Sequence, residues 1–386
     1  MKKKLIFIIF VILICSFAFC GRKQKVEETS APDNKTEEKT EIKKGPVTML
    51  VLGDNLFHMP VINSGRKDDG TYEYSHLYEH FQPEIREADI AVIGQETVFG
   101  GEKYGYSGYP LFNSPEGVGA TLTKEGFDVV LHASNHALDK WAEGLENTME
   151  FWKQYPDVLP LGINESFADM ESVDIIEKNG IRLALLNYTY DTNGLRPAIG
   201  KEYIVNYIDR DRIKKDIDYS EKNADITVAF MHWGVDGGIY ATDEQKELAR
   251  YMCSLGADLI VGSHPHVLQG AEWIESDNGN RAFVYYSLGN YVSRQIELKN
   301  LLGGIASVTI DDIDGKVCVT KATIIPHVTH YNAGSNEFDV YPLSDYNEDL
   351  AALHGIAQYD GKVTPERFGD ILDRAFEGYD INIIEK

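Results

Sequence analysis

Short apolar runs alternate with amphipathic stretches along most of this chain, and this alternation constrains the fold more than any other feature. The apolar runs are bounded by turn residues and have the length of buried strands, at 47–53, 89–95, 127–132, 225–231 and 257–262. Between them lie patterns typical of helices, near 76–88, 115–126, 139–155, 209–223 and 242–256. Strands that alternate with helices predict a layered α/β fold.

The second half of the chain adds strands that are close neighbours in sequence. Residues 173–188 predict a hairpin, because Asn179-Gly180 is a favoured two-residue turn. Further strands are expected at 281–288, 303–310 and 316–325, and a helix near 364–376. We place the main domain at 46–330 and interpret residues 331–386 as a C-terminal appendage packed on the same domain.

The first 20 residues have the pattern of a bacterial lipoprotein signal peptide. Three lysines precede an apolar run that ends at Cys20, and the run is short for a spanning helix, which needs about 20 apolar residues. We expect lipid on Cys20; an uncleaved anchor and an ordinary secretion signal are the alternatives. All three place the body outside the cytoplasm, and the lipid anchor places it at the cell membrane. Residues 21–45 hold almost no large apolar side chains, which predicts a disordered tether.

Composition narrows the choice of partners. The formal net charge is −24, so we expect no binding of nucleic acid, and a polyanion would be repelled unless a local cation offsets the field. Beyond the leader the chain has two cysteines, Cys253 and Cys318, which are too few for a disulfide framework. We interpret both as free thiols, and a single bridge between them is the alternative.

Metal-binding types of side chain follow five of the predicted strands at their carboxyl ends. They are Asp54, Glu96, Asn135 with His136, His232, and His264 with His266. Sites assemble at this edge of an α/β sheet, and an unpaired polar group there costs about 1–3 kcal/mol when buried. Carboxylate, amide and imidazole ligands together suit a borderline divalent cation such as Zn, Mn or Fe. The pattern therefore predicts a metal site, with the two histidines of the His-x-His pair facing one pocket.

Six motifs carry a resemblance to a known family. They are GD at 53–54, QET at 95–97, SNHALD at 134–139, HWGVD at 232–236, GSHPHVLQG at 262–270 and YSLGNYV at 286–292. In order and spacing the set resembles the CapA-type poly-γ-glutamate capsule proteins over residues 47–295. That family is similar in fold to the calcineurin-like metallophosphoesterases. The resemblance therefore implies a four-layer α/β/β/α sandwich around two divalent metal ions.

The resemblance also implies six metal ligands, of which Glu96 bridges the ions: Asp54 and His266 for the first ion, and Asn135, His232 and His264 for the second. His136 would be a catalytic residue, and Asp139 would act with it, as the group that orients an imidazole; Asp236 is the alternative for that second role. Trp233 and Asn290 are expected to contact substrate.

The implied activity is that of a metal-dependent hydrolase acting on an anionic polymer or a phosphoester. The bond would be a phosphoester, or a γ-glutamyl bond of an envelope polymer, and the partners would be capsule synthesis and export proteins. A non-catalytic accessory component of a capsule synthesis or export complex is the alternative.

Several positions depart from the family pattern or leave alternatives open. Leu56 stands where phosphoesterases have a histidine, and we interpret His58 as a surface loop residue and not as its replacement. Gly262 and Gly270 are expected to let the backbone turn sharply around the His-x-His pair. The segment 100–110, rich in Gly and Tyr, is a lid, a carbohydrate contact or an ordinary loop. Other candidates are Tyr286 for the substrate cleft, and Arg196 and Arg294 for an anionic substrate.

Overall fold

The computed structural model describes residues 44–384. The signal peptide predicted at 1–20, with Cys20, lies outside the described residues, and so does the tether predicted at 21–45 except for its last two residues. Within 44–384, two β-sheets lie face to face and helices cover their outer faces. This is the four-layer α/β/β/α sandwich that the family resemblance implies.

Residues 44–384 contain fifteen strands. In chain order they are Val47–Asn55 (β1), Ile90–Gln95 (β2), Val129–Leu131 (β3), Leu159–Leu161 (β4), Asp174–Lys178 (β5), Ile181–Thr189 (β6), Ile226–His232 (β7), Leu259–Ser263 (β8), Leu268–Glu275 (β9), Arg281–Leu288 (β10), Asn290–Val292 (β11), Leu302–Ile313 (β12), Lys316–Tyr331 (β13), Phe338–Pro342 (β14) and Asn382–Ile383 (β15).

The strands divide into a nine-stranded and a six-stranded sheet within the described chain. The first sheet has the order β14-β13-β12-β1-β2-β3-β4, with β11 added to β1 and β15 to β13. The second has the order β5-β6-β7-β8-β10-β9. Strands β1 to β4 run parallel in the first sheet, and β6, β7 and β8 run parallel in the second. Parallel strands place their carboxyl ends at one edge, so each sheet has an edge suited to a site.

Ten α-helices lie in the described residues: Met59–Ser64 (α1), Gln82–Glu87 (α2), Gly117–Glu125 (α3), Trp141–Trp152 (α4), Phe167–Met170 (α5), Arg210–Asn223 (α6), Asp243–Leu255 (α7), Glu348–Leu353 (α8), Ala357–Asp360 (α9) and Pro365–Ala375 (α10). The helix expected at 76–88 is shorter than predicted, because Pro83 fits only the first turn of a helix; two 3-10 turns precede α2. None of the helices in this part of the chain has the length and apolarity needed to cross a bilayer.

The hairpin predicted from the Asn-Gly pair is confirmed. Strands β5 and β6 pair in antiparallel register, and Asn179 and Gly180 take φ values of 51° and 78° in the turn between them. Both free thiols also agree with expectation, with Cys253 buried in α7 and Cys318 half-buried in β13.

The second sheet is buried on both faces, between the first sheet and a layer of helices. Successive side chains of a strand point to opposite faces. One set packs against the first sheet and includes Leu183, Leu185, Val228, Phe230, Phe283 and Tyr285. The alternate set packs against α6 and α7 and includes Leu186, Ala229, Met231, Val284 and Tyr286. Because both faces of these strands are buried, their sequences read as continuous apolar runs.

The segment after residue 330 contributes directly to the first sheet. Strand β13 continues to Tyr331, β14 pairs with it in antiparallel register, and β15 pairs with it in parallel register. The apolar face of α10, with Phe368 and Leu372, packs into the same core as these strands.

Candidate metal centre

The predicted ligands come from both sheets and meet where the carboxyl ends of the parallel strands face each other. Asp54 lies at the end of β1, Glu96 follows β2, and Asn135 and His136 follow β3. These residues belong to the first sheet. The second sheet supplies three imidazoles, from His232 at the end of β7 and from His264 and His266 after β8.

The side chains form two groups of potential ligands with one member in common. Glu96, His232 and His264 form one group, and Asp54, Glu96 and His266 form the other. Within each group the ligand atoms lie within 4.8 Å of one another, and all five residues are buried. Glu96 belongs to both groups, as expected of a carboxylate that bridges two ions.

A sixth predicted ligand lies beside the group that contains His232. The Asn135 side-chain oxygen is 2.8 Å from Nε2 of His232, and this Nε2 is 3.9 Å from Oε1 of Glu96. The second ion would therefore have four ligands, from Glu96, Asn135, His232 and His264, and the first ion would have three.

The hydrogen-bonding state of the ligands fits a cation. Both carboxylate oxygens of Glu96 are buried without a hydrogen-bond partner in the described residues, and Nδ1 of His264 is in the same condition. Leaving such groups unpaired is costly, and buried polar groups in native proteins are nearly always satisfied. These three atoms are all of types that bind divalent metals, so bound ions would satisfy them together.

The electrostatics of the cluster support the same conclusion. Burial raises the pKa of Asp54 to about 7 and raises the pKa of Glu96 well above its ordinary value, with the Asp54 carboxylate adding to the effect on Glu96. Burial lowers the pKa of His264 to about 3 and that of His266 to about 4, and it lowers the pKa of His232 strongly. The imidazoles are therefore neutral, as metal ligands must be, and a cation would favour the ionised carboxylates.

Neighbouring groups hold the ligands in place. Ser263 Oγ lies 2.9 Å from Nδ1 of His232, and the Asn290 side-chain oxygen lies 2.9 Å from Nδ1 of His266. The backbone N–H of His264 donates to Oδ2 of Asp54 at 3.0 Å, which ties the loop after β8 to the first sheet. Such partners fix the orientation of metal-binding side chains.

The backbone of the His-Pro-His loop carries the sharp turns itself. His264 and His266 have φ values of 93° and 57°, a region that residues other than glycine seldom adopt. Gly262 and Gly270 do not provide these turns, which corrects the expectation from sequence. They are required for close packing, because a Cβ at Gly262 would lie 2.0 Å from the carbonyl oxygen of Tyr286, and one at Gly270 would lie 2.0 Å from the ring of Tyr379.

His136 faces the ligand cluster from the first sheet. Its Nε2 is 3.9 Å from Oε1 of Glu96, and its Nδ1 is 2.7 Å from Oδ2 of Asp139. The same oxygen of Asp139 accepts the backbone N–H of Phe112 at 2.7 Å, and the Phe112 ring packs edge-on against the imidazole. Asp139 is therefore placed to orient His136. Asp236, the alternative, is exposed.

A cavity of about 510 Å³ opens onto the centre, within the size range of ligand pockets. Predicted site residues that line it are Asn135, His136, Asp139, His264 and His266. The rest of the wall includes Leu56 and Tyr109, which the sequence analysis had already singled out by position or segment. It also includes Phe112, Tyr190, Asn193 and Gln295, which the sequence did not point to.

Two residues predicted to bind substrate have other positions. Trp233 is 2% exposed, packs in the core beside α7, and donates its indole N–H to the Tyr286 carbonyl; it lines a separate groove and not the cavity. Asn290 is 1% exposed, and its amide group bonds to His266, Ser293 and Gln295, so it orients a ligand and does not face the cavity. The prediction for both residues is corrected, because their polar atoms are already engaged inside the protein.

Other candidates also differ from expectation. His58 is half-buried and lines the cavity, so its interpretation as a surface residue is wrong; it belongs to neither ligand group. Tyr286 is a core residue that donates to Glu272. Arg196 pairs with Asp191, and Arg294 stacks on Tyr331, so neither lines the cavity.

The contribution of β6 to the site was not predicted from the sequence. This strand ends at Thr189 beside the metal centre, and the loop that follows delivers Tyr190 and Asn193. The Asn193 amide lies 3.4 Å from Nδ1 of His136, and its side-chain oxygen accepts from Asn135 at 3.2 Å. The sequence could have indicated this contribution. The polar segment Thr192-Asn193-Gly194 follows a predicted strand, as the segments that bear the metal ligands do.

Comparison with known proteins gives a match over the part of the chain that carries these motifs. The family described as Bacterial capsule synthesis protein PGA_cap matches residues 48–295. The chain is 39% identical over 185 residues to PGA biosynthesis protein CapA of Bacillus subtilis, covering 45% of this chain and 44% of that protein. It is 27% identical over 257 residues to Capsule biosynthesis protein CapA of Bacillus anthracis, covering 64% of this chain and 60% of that protein. The matches thus span less than two thirds of the length of each relative.

Two solved structures are similar at low identity. NAD nucleotidase of Haemophilus influenzae has a TM-score of 0.48 and 13% identity, covering 89% of this chain and 65% of that chain. Calcineurin-like phosphoesterase YfkN of Bacillus subtilis has a TM-score of 0.41 and 12% identity, covering 86% and 99%. Likeness at this level does not extend to activity. The resemblance to CapA-type proteins is confirmed by the match over 48–295, which covers more than half of the chain. This chain belongs to the bacterial capsule synthesis protein PGA_cap family.

Proposed function

We propose that this protein is a hydrolase that depends on two divalent metal ions, Mn, Zn or Fe. The observation that carries the proposal is the position of Glu96. Its two buried oxygens have no hydrogen-bond partner in the described residues, and each of two ligand groups includes it. A structural metal site needs only one closed set of ligands, whereas a shared carboxylate beside an open cavity is typical of catalytic metal pairs.

Bound ions would supply a reactive water and stabilise negative charge on the leaving oxygen. The chain itself supplies the proton for that oxygen. His136 directs Nε2 toward the centre, and Asp139 holds Nδ1 at 2.7 Å. His136 donates its Nε2 proton to the leaving group, and Asp139 keeps the ring oriented for the transfer. Phe112 packs edge-on against the ring and helps to hold it in place.

We propose that the bond is a phosphoester, or an amide such as a γ-glutamyl bond of an envelope polymer, and that the protein works with capsule synthesis and export proteins. The support is the family, together with the two Bacillus relatives that are named for capsule or PGA biosynthesis. Co-purification of the full chain with membrane partners from its native cell tests the association. Recovery of the protein alone under mild detergent would count against it.

We propose an extracytoplasmic location with a lipid anchor on Cys20. The support is the basic and apolar leader that ends at this residue. Cys20→Ser is expected to abolish lipid attachment, measured as the mass of the N-terminal peptide from membrane-extracted protein. An unmodified Cys20 in that peptide would refute the anchor.

The test of the hydrolase is metal content followed by activity. The purified full chain should retain two divalent ions after dialysis and hydrolyse phosphodiester or γ-glutamyl test substrates. His136→Asn should keep the ions and lose at least about 100-fold in rate, because it removes the proton donor. If the wild-type protein holds no ion after loading with Mn, Zn and Fe in turn, the hydrolase proposal fails.

A non-catalytic capsule component is the second candidate, and Leu56 is the observation that favours it. With leucine at this position, three residues would hold the first ion and four would hold the second. A weakly held first ion would leave a single structural ion. The two candidates separate cleanly, because a structural site predicts one tightly bound ion and no hydrolysis of any test substrate.

A further inference from the structure

We propose that Asn193 and Gln295 bind substrate, and that each donates an N–H of its side-chain amide to an oxyanion held at the metal centre. The oxyanion is a phosphate or carboxylate group of the substrate. Both residues line the cavity, and in both the amide oxygen is already engaged by an asparagine of the site. This inference rests on the proposed hydrolase function and names residues that would bind its substrate.

On the side of the second ion, Asn135 connects the ligand cluster to Asn193. The Oδ1 atom of Asn135 lies 2.8 Å from Nε2 of His232, and its Nδ2 donates to Oδ1 of Asn193 at 3.2 Å. Because the oxygen of Asn135 faces the ligands, its NH2 group faces Asn193, where only an acceptor can meet it. The oxygen of Asn193 is thereby fixed toward Asn135, and the NH2 group of Asn193 lies on the other side of the amide.

That NH2 group contacts His136 without being used up by it. Nδ2 of Asn193 lies 3.4 Å from Nδ1 and 3.5 Å from Nε2 of His136, at the outer limit of a hydrogen bond. Nδ1 of His136 has a closer partner in Oδ2 of Asp139, at 2.7 Å. Since the two distances are almost equal, the amide is committed to neither ring nitrogen. Asn193 therefore keeps a donor for a ligand, next to the group that supplies the proton.

The same arrangement recurs on the side of the first ion, through Asn290 and Gln295. The Oδ1 atom of Asn290 lies 2.9 Å from Nδ1 of His266, and its Nδ2 donates to Oε1 of Gln295 at 2.8 Å. Within the described residues, Gln295 forms hydrogen bonds through its side-chain oxygen and its backbone N–H, which leaves Nε2 for a ligand. Each ion thus has an asparagine beside it that turns the oxygen of an outer amide away from a ligand.

Two amide donors in this orientation suit an anion. An amide oxygen that faced the cavity would repel a phosphate or carboxylate oxygen, whereas an N–H attracts it, and hydrogen bonds to charged groups are among the stronger ones. The donors are neutral, so they attract substrate oxygens without repelling the metal ions. Asn193 follows β6 of the second sheet and Gln295 follows β11 of the first, so a bound oxyanion would contact both sheets.

The loop that carries Asn193 is formed before a ligand binds. Asn193 and Gly194 have φ values of 51° and 76°, in a turn that the Leu195 N–H closes on the carbonyl of Thr192 at 2.9 Å. Asn-Gly pairs adopt such positive φ values readily. A ligand at the Asn193 amide would therefore meet a fixed donor, and little conformational entropy would be lost on binding.

Binding at saturating metal tests the inference. The full chain in excess Mn is titrated by calorimetry with inorganic phosphate and with γ-glutamylglutamate, and the ions bound per chain are counted. Asn193→Gly and Gln295→Met each remove one donor, and glycine keeps the left-handed turn at 193. Each variant should bind at least one of the two probes about tenfold more weakly than wild type, because a hydrogen bond to a charged group is lost.

Matched variants separate the donors from general effects. Asn179→Gly alters the other Asn-Gly turn of β6, at the opposite end of the strand, and Gln154→Met alters an exposed glutamine after α4. Both should bind the probes as wild type does. Asn193→Asp keeps an oxygen to accept from Asn135 but loses the NH2 group, so it should retain the second ion and bind the probes more weakly than Asn193→Gly.

The outcomes distinguish this inference from the function on which it rests. Unchanged affinity for both probes in Asn193→Gly and Gln295→Met, with two ions per chain, overturns the inference and leaves the hydrolase proposal standing. So does a weakening that excess Mn abolishes, because these residues would then act only on the metal ligands. Loss confined to phosphate supports a phosphoester substrate, and loss confined to γ-glutamylglutamate supports a carboxylate-bearing one. If wild type with two ions binds neither probe, the inference fails; if wild type holds no ion, the hydrolase proposal fails with it.

Discussion

The first sheet contributes carboxylates and an amide to the metal centre, and the second sheet contributes imidazoles. Asp54, Glu96 and Asn135 lie at or just beyond the ends of strands of the first sheet. His232 and His264 lie at or just beyond the ends of strands of the second. Neither sheet holds a complete set for either ion, because each ligand group draws on both. The packing of the two sheets and the integrity of the metal centre therefore depend on each other. A substitution in one sheet should alter metal binding by ligands of the other.

The largest expected effect comes from the residue that serves both ions. Glu96→Gln should abolish binding of both, because it removes the charge common to the two groups while preserving side-chain shape. The metal-free variant should be at least as stable as metal-free wild type, since a buried carboxylate without partners is lost. Metal analysis and thermal unfolding in chelator measure the two effects, with the exposed Glu143→Gln as control. Retention of either ion would contradict the shared role.

Substitution of single histidines of the second sheet should remove the two ions one at a time. His264→Ala should lose the second ion and His266→Ala the first, each leaving one ion per chain. The ion left in His266→Ala should be the tighter by about tenfold, because it has four protein ligands and not three. Metal competition assays on both variants give the affinities. Loss of both ions in both variants would mean that the two groups do not act separately.

Metal binding should release protons from the carboxylates of the first sheet and none from the imidazoles of the second. The pKa of Asp54 in the metal-free protein is raised to about 7, so below this pH a bound proton must be displaced by the ion, whereas His264 and His266, with pKa values of about 3 and 4, are already neutral. The affinity for metal should therefore fall about tenfold for each pH unit below 7 through the Asp54 proton, and a proton on Glu96, whose pKa is also raised, adds to this dependence. Titrations between pH 5.5 and 8.5 measure this. A flat profile over that range, with loss only near pH 4, would assign the protons to the imidazoles.

The smallest effects should come from residues that orient the ligands. Asn290→Ala should weaken the first ion through His266, and Ser263→Ala should weaken the second through His232, each by about tenfold. Ser276→Ala, in the turn between β9 and β10, is the control. The affinity of each ion in the two variants is the measurement, and a uniform loss at both sites would indicate a general structural effect.

Many of the strands were predictable because their patterns are local, whereas β4, β9, β11, β14 and β15 were not predicted. Buried parallel strands read as short apolar runs, and the Asn179-Gly180 turn marks a hairpin, so β1, β2, β7, β8 and the β5–β6 pair lie where the sequence places them. The helix expected near 76–88 was too long, since Pro83 prevents its first part from forming a regular helix.

Site residues were predictable where a buried polar side chain would cost free energy unless a ligand satisfied it. Polar groups at the ends of buried strands indicate a site whatever their partners are. The positions of Trp233, Asn290 and His58 could not be read in the same way, because each follows from which side chains of distant segments are near. Asn290 reaches His266 only because β11 lies beside β1 and the loop after β8 folds over it.

By itself, the sequence determined the layered α/β class, the strand ends that bear ligands, and the mixture of carboxylate and imidazole that suits a divalent cation. These depend on local periodicity and on the chemistry of single side chains. The tertiary structure alone decided that the ligands divide between two sheets and that Glu96 is common to both groups. Contacts between residues far apart in the chain produce these features, since distance in space between two packed sheets is not encoded in spacing along the sequence.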